Sequence, residues 1–388
     1  MRILVIASGW FADRKGGSAR VATETAERLA RRGHEVTVLA PRVRDEPTIT
    51  RTGSLTLCRT IPRRVIPATL SDMFTGWRHG QNLARDVDLV VSHASTVSCG
   101  FVARGLARPL VIVYHAPGPR ELQFDSDRLS GVARLRMQAV TPLVALSERI
   151  SINRAERLLT LSDYTRKLLL ADFPAVASRV RRVEGGVDVD EFHPGSGQSD
   201  ARERLGVDPS STLLLTVRRL EPRMGLENLL EAVAELRARV PLTLAVGGTG
   251  SLERNLHGLA ESLGLQNVVR FLGAIPETQL VDWYRAADLF VLPTVEFEGF
   301  GMVTVEALAS GTPVVGTPVG ATPELLAPLE PRLLARDSSP ASVGEAIERA
   351  LELADEALRT RCRTYACERF AWEHVIDDWE AELLAAAA

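Results

Sequence analysis

Two glutamates within one short segment carry the clearest chemistry in this 388-residue sequence. The run Glu298-Gly299-Phe300-Gly301-Met302-Val303-Thr304-Val305-Glu306 sets two carboxylates eight residues apart. The first falls in a glycine-rich loop, the second in the second turn of the helix that follows. Eight residues of uninterrupted helix would separate them by ~12 Å at 1.5 Å per residue. Each could then meet a different end of one ligand. Carboxylates accept hydrogen bonds from hydroxyl-rich groups such as ribose and hexose, and loop N–H groups with a helix N-terminus suit an anion between them. The plainer alternative is a helix residue pairing with a surface arginine and an unrelated loop charge.

A second segment, Lys15-Gly16-Gly17-Ser18, lies between an apolar run and an amphipathic stretch. Glycines there let backbone N–H groups approach an anion at a helix N-terminus, or form a simple turn with Ser18 as N-cap. The spacing is not Gly-x-Gly-x-x-Gly, so no dinucleotide fingerprint is present. His115, in Val113-Tyr114-His115-Ala116-Pro117, follows another apolar run. A lone histidine is commonly structural, but a place at the end of a strand favours a functional role. From Arg59 to Leu70, and on to Phe74 and Trp77, basic and apolar residues interleave. Pro62 and Pro67 argue against one long amphipathic helix there. The segment reads as a loop or as a weak contact with an anionic membrane surface.

The elements that must position these residues alternate. Strands are expected at Ile3–Ile6, His34–Ala40, Val87–Val91, Leu110–Tyr114 and Arg157–Leu161, with a helix at Ser18–Arg31. After a linker-like Pro194–Ser199 the pattern restarts, with strands at Leu213–Val217, Leu242–Val246, Val268–Phe271, Leu289–Leu292 and Pro313–Gly316. Helices fall between them at Leu226–Arg239, Ser251–Leu263, Gln279–Ala286 and Val303–Ala309, and Ala341–Leu353 and Trp372–Leu384 follow. Continuous apolar runs mark strands buried on both faces. Their alternation with helices predicts two α/β, Rossmann-like, doubly wound domains facing across a cleft. Domain limits of 1–193 and 194–371 follow, with helix 372–388 packing back on the first.

Composition excludes several classes. Apolar residues make up 45% and charged residues 24%, ordinary globular values. The 46 basic side chains nearly balance 49 acidic ones, which argues against a nucleic-acid partner. The balance is uneven along the chain: residues 1–190 hold 29 basic and 19 acidic groups (+10), leaving 17 and 30 (−13) for the rest. Two lysines against 44 arginines suggest a GC-rich bacterial genome. Four cysteines show neither disulfide nor metal spacing. The N-terminal apolar run is too short for a signal peptide, and no window resembles a membrane span. A cytoplasmic protein is expected, peripheral to the inner face of the membrane if residues 59–77 touch it.

Gly16-Gly17, Val183-Glu184-Gly185-Gly186-Val187-Asp188, Phe192-His193-Pro194, Arg219-Leu220, Glu298-x7-Glu306 and Ala309-Ser310-Gly311-Thr312-Pro313-Val314-Val315 occur in one order. That set resembles the GT-B glycosyltransferases of family 4, retaining enzymes that use nucleotide sugars. The resemblance implies roles residue by residue. Glu306 would accept ribose hydroxyls, and Glu298 and His115 would contact the donor sugar. Arg219 would bind phosphate and Gly16 and Gly17 would approach the diphosphate. Backbone N–H groups of Phe300, Gly301, Met302 and Val303 would hold sugar hydroxyls and phosphate. Arg270, Phe271 and Leu272 would hold the base. Catalysis would rest on Glu298, His115 and Arg219. No Asp-x-Asp motif is in place, so no metal and no cofactor is expected beyond the nucleoside-diphosphate sugar as co-substrate.

One position departs from the family. The family follows its arginine five residues later with a lysine on the leaving phosphate, and here that position is Met224. Loss of such a cation would cost ~2–4 kcal/mol without compensation. Arg223 or Arg218 could substitute. The expected activity is retaining transfer of a hexose-type sugar to an acceptor hydroxyl on a small molecule, lipid or glycan. The alternatives are a catalytically impaired sugar-nucleotide-binding partner, or another GT-B enzyme such as a sugar-nucleotide epimerase.

Overall fold

The computed structural model describes residues 1–13, 16–43, 46–61, 68–128 and 130–388. Lys15 and residues 62–67 of the basic segment lie outside them. The chain divides into two units, Met1–Glu184 with Val375–Ala388, and Gly185–His374.

The strands of the first unit are β1 (Arg2–Ile6), β2 (Glu35–Pro41), β3 (Ile49–Thr52), β4 (Leu55–Thr60), β5 (Leu89–Ser92), β6 (Leu110–Tyr114), β7 (Arg157–Thr160) and β8 (Val180–Arg182). They assemble in the order β3-β4-β2-β1-β5-β6-β7-β8. The β3–β4 pair is antiparallel and the other described pairs are parallel. Leu4, Ile6, Val90, Leu110, Ile112 and Leu158 interlock at its centre. The sequence pattern did not anticipate β3 and β4. β3 is exposed along its length, so burial leaves no apolar run to read.

Strand order reverses direction between β1 and β5, both hydrogen-bonded to each other in parallel. In open α/β sheets ligands collect beyond the carboxyl ends of the strands at such a reversal. The segment after β1 opens the helix Gly17–Arg31, which buries Val21, Ala22, Ala26 and Leu29. The C-terminal stretch belongs to this unit through specific bonds. Glu380 takes Arg32 Nη1 at 2.6 Å and His34 Nε2 at 2.7 Å. Trp379 is fully buried and its Nε1 donates to Glu184 O at 2.9 Å.

The second unit contains β9 (Thr212–Val217), β10 (Leu242–Gly247), β11 (Val269–Gly273), β12 (Leu289–Leu292) and β13 (Val314–Gly316). They lie parallel in the order β11-β10-β9-β12-β13, so direction reverses between β9 and β12. The helix Leu226–Leu236 shows the covering layer: Leu226, Leu229, Leu230, Val233 and Leu236 recur at helical spacing and are buried.

The unit boundary falls at 184/185 rather than at 193/194. Phe192 is fully buried with its ring edge-on to Tyr284 at 5.9 Å. Arg363 donates to Phe192 O, and Arg285 Nε donates to His193 O at 2.6 Å. The Pro194–Ser199 stretch is therefore pinned within the second unit and leads into the helix Gln198–Leu205. The basic segment also changes character. Arg59 lies in β4 with its side chain 7% exposed, donating to both oxygens of Asp13, so its charge is not offered to a surface. Trp77, on the helix Ala68–Ala84, is 43% exposed. Among the described residues no helix is long and apolar enough to cross a membrane.

Candidate functional site

The strand reversal of the second sheet brings two loops together. One follows β9 and carries Arg218 and Arg219. The other follows β12 and carries Thr294 to Glu298. Arg218 Nη2 donates to Glu298 Oε2 at 3.0 Å, and Thr294 Oγ1 donates to the same oxygen at 3.1 Å. Both charged side chains are largely withdrawn from water, at 5% exposure for Arg218 and 16% for Glu298. Burial pushes the Arg218 guanidinium down to about 10, Glu298 opposes that fall, and Arg223 and Arg219 add to it. Two further guanidinium groups, those of Arg223 and Arg219, thus lie within electrostatic reach of Arg218 beside the single Glu298 carboxylate.

Arg218 has further unmet capacity. Its Nε and Nη1 are buried without a hydrogen-bond partner among the described residues. Unmade donors on a buried cation are energetically unfavourable and call for an acceptor. Its Nη2 also donates to Met224 Sδ at 2.9 Å, so the guanidinium rests against the residue standing where the resemblance expects lysine. Arg223 is engaged differently. Its Nη1 donates to Phe297 O at 2.9 Å, and its own carbonyl accepts from Val295 N at 3.0 Å. Phe297 has φ 54°, the left-handed region that bulky residues avoid, so Arg223 secures a strained turn just before Glu298.

Two glycines set the loop's path. Gly301 adopts φ 90° at the N-cap of the helix Met302–Ala309. Gly320, at φ 66°, passes so close to Glu298 that an added Cβ would lie 2.2 Å from Glu298 O, and Ala321 N donates to that oxygen at 2.8 Å. Glu306 lies in the second turn of Met302–Ala309 and is 3% exposed. Tyr284 Oη donates to Glu306 Oε2 at 2.8 Å and orients the carboxylate. The side chains of Phe300 and Met302 are buried, with the Phe300 ring edge-on to Phe370 at 5.9 Å. Their contribution to a ligand is then through the backbone, as for Gly301 and Val303.

Not every expected residue joins this cluster. Arg219 is adjacent and exposed. Arg270, Phe271 and Leu272 lie on β11 at the sheet edge, two strand spacings or about 10 Å from β9. There Phe271 stacks on His257 with ring centroids 4.0 Å apart, and the Arg270 guanidinium sits 5.6 Å from the Trp283 ring.

In the first unit Gly16 and Gly17 open the helix that follows β1. His115 follows β6 directly, and its Nε2 lies 3.0 Å from His93 Nδ1. His93 follows β5, was not singled out from the sequence, and has the rings of His115 and Trp379 as neighbours, with centroids 5.2 Å and 6.3 Å away. Its signal was its position: it follows Ser92, just past the apolar run Leu89–Val91. Burial pushes the His115 imidazole down to about 4 and holds His93 well below the usual histidine range. Nearby, burial pushes Glu148 up to about 7 although Gly118 N donates to it. Among the described residues no group of three His, Cys, Asp or Glu is arranged to hold a metal ion.

Residues 197–369 match the family described as Glycosyl transferases group 1, and residues 15–191 match Glycosyltransferase Family 4. The chain is 42% identical over 179 residues to D-inositol 3-phosphate glycosyltransferase 2 of Catenulispora acidiphila, covering 44% of this chain and 42% of that protein. It is 34% identical over 264 residues to the D-inositol 3-phosphate glycosyltransferase of Geodermatophilus obscurus, covering 66% and 56%. The chain spans about half the length of the curated relatives it matches. In fold it is similar to sucrose-phosphate synthase of Thermosynechococcus elongatus, with TM-score 0.83, 21% identity and 100% of both chains covered. HepE of Anabaena, solved with UDP-glucose, gives TM-score 0.77 at 18% identity, covering 99% of this chain and 100% of that one.

Proposed function

The chain belongs to the GT4-type glycosyltransferases of GT-B fold, and from that premise we propose that it moves a hexose from a nucleoside-diphosphate sugar to an acceptor hydroxyl with retention of configuration. The observation that carries this reading is the buried Arg218–Glu298 pair, with Arg219 beside it, at the strand reversal of the second sheet. A positive locus with unmet N–H donors suits a diphosphate, and a carboxylate held on one oxygen suits a sugar hydroxyl.

Cleavage of the sugar–phosphate bond builds negative charge on the departing diphosphate and positive charge on the sugar carbon. Arg219, Arg218 and the N–H groups at the start of Met302–Ala309 answer the first. Glu298 answers the second and orients the ring. Glu306, fixed by Tyr284, takes ribose hydroxyls. From the resemblance, His115 meets the donor sugar and Gly16 and Gly17 meet the diphosphate. Retention by front-face attack needs no second carboxylate, because the leaving phosphate oxygen accepts the acceptor's proton. No metal and no cofactor enters this scheme.

Arg218 is the residue that answers Met224. It rests against the Met224 sulfur, whereas Arg223 is committed to Phe297 O. The test is a thermal-shift screen of UDP-, GDP-, ADP- and TDP-sugars, followed by transfer assays. Those assays begin with UDP-glucose, because HepE was solved with it, and with D-inositol 3-phosphate, for which the curated relatives are named. A stabilising sugar nucleotide that is turned over supports the reading; no response to any of the four overturns it. A second reading, a sugar-nucleotide-binding protein without turnover, is favoured by Met224 and would show binding with neither transfer nor hydrolysis.

A further inference from the structure

His93 and His115 occupy equivalent places on neighbouring strands. Each is the first residue past the carboxyl end of its strand, β5 and β6, which pair in parallel through Ser92 and Ile112. The two ring planes lie at 28° with centroids 5.2 Å apart, and His93 Nδ1 meets His115 Nε2 at 3.0 Å. The His93 ring also lies nearly parallel, at 9°, to the Trp379 ring, with centroids 6.3 Å apart. Trp379 spends its own N–H on Glu184 O. The backbone of His93 is fixed too, its N–H donating to Ile6 O at 2.8 Å. His93 Nε2 is buried and has no hydrogen-bond partner among the described residues.

Proton counting decides what this contact does. Burial keeps both rings neutral near pH 7, so two protons are shared among four ring nitrogens. The 3.0 Å contact needs one of them on its axis. If His115 held a proton on Nε2, His93 would have to carry its own on Nε2, a buried N–H with no acceptor. If His93 carries its proton on Nδ1, it donates to His115 Nε2, and the unmet atom at His93 Nε2 is only a lone pair. Orphaned buried donors are rarer than under-used acceptors, so the second arrangement prevails. His115 must then hold its proton on Nδ1.

Resting on the transferase reading above, we propose that His93 is a positioning residue that locks His115 in the Nδ1–H tautomer, so that His115 presents a hydrogen-bond donor to the donor sugar. With Nε2 taken by His93, Nδ1 is the nitrogen of His115 left to meet a ligand. An acceptor at that position would be mismatched to a sugar oxygen whose own proton is committed elsewhere; a donor is not.

The experiment is long-range 15N–1H correlation on the full chain labelled with 15N-histidine near pH 7, together with donor turnover. The parent should show both His93 and His115 protonated on Nδ1. His93→Phe keeps a ring against Trp379 but removes the donor. It should bring His115 into tautomer exchange and lower kcat/KM for the sugar nucleotide about tenfold, the scale of one lost hydrogen bond. His93→Asn offers an amide N–H near the place of Nδ1 and should restore both the His115 signature and most of the rate. A parent spectrum with His115 protonated on Nε2 overturns the proposal, whatever the variants do. So does an unchanged His115 signature in His93→Phe. If no sugar nucleotide is bound or turned over by the parent, the transferase reading fails, while the spectra still decide the tautomer.

Discussion

Arg218 Nη2 and Glu298 Oε2 lie 3.0 Å apart across 80 residues of sequence, at the point where the second sheet changes direction. The pair is asymmetric. Glu298 Oε2 is satisfied twice, by Arg218 and Thr294, while Arg218 retains two buried nitrogens with no partner among the described residues. That imbalance is why an anion is the natural ligand here.

If Arg218 supplies the charge missing at Met224, the two positions should compensate for each other. Arg218→Gln is expected to lower kcat/KM for the sugar nucleotide ~100-fold. Met224→Lys alone should also lower activity, because it sets an ammonium against a buried guanidinium. The double variant Arg218→Gln/Met224→Lys should recover much of the loss. Steady-state kinetics on the four proteins settles it, and strictly additive losses would refute compensation.

Gly320 is expected to tolerate no side chain. Gly320→Ala adds a Cβ 2.2 Å from Glu298 O at a φ of 66°. A cost of about 3 kcal/mol follows from overlap and strain together. Denaturant unfolding should report the lost stability, and donor turnover should fall with it because the Glu298 loop is displaced. Unchanged stability would mean the loop is not held as described.

Tyr284→Phe should separate orientation from presence at Glu306. It removes the 2.8 Å bond and leaves a buried carboxylate one donor short, at a cost of ~2 kcal/mol. Donor affinity by calorimetry should weaken modestly in Tyr284→Phe and by tenfold or more in Glu306→Ala. Full affinity in Glu306→Ala would remove Glu306 from the ligand.

Two groups in the first unit make stability depend on pH in opposite directions. His115 falls from 6.5 to about 4 on folding, so its neutral form is favoured by the fold. That stability is complete above pH 6.5 and is lost as pH falls toward 4. Glu148 rises from 4.5 to about 7, so its protonated form is favoured. Its contribution is complete below pH 4.5 and is lost as pH rises toward 7. Glu148→Gln should therefore stabilise the chain at pH 8, by up to roughly 3 kcal/mol, and do little at pH 4. Unfolding midpoints of parent and variant between pH 4 and 8 test the sign. A gain of equal size at both ends would show that Glu148 does not titrate in this range.

Local sequence was informative wherever burial is uniform. Leu110–Tyr114 and Leu289–Leu292 read as strands because β6 and β12 are buried on both faces, and their bounds agree with the structure. Glu298 and Glu306 stood out because a glycine-rich turn leading into a helix leaves a mark at fixed spacing. Local sequence was silent where environment is not local. β3 is exposed throughout and has no apolar run, and the helix Gly131–Arg154 buries only a few positions near its end. Nothing in Arg218, Arg219 and Arg223 tells which one is buried, because that depends on what β12 brings alongside.

The sequence by itself determined the α/β class, the strands that are dry on both sides and the pair of glutamates, since backbone preference and burial periodicity are written residue by residue. Only the tertiary structure decided that Arg218 faces Glu298, that Arg223 secures Phe297, and that His93 meets His115. Strand order sets those meetings. It is fixed by how whole strands and helices bury one another, a sum over the fold that no short window of sequence contains.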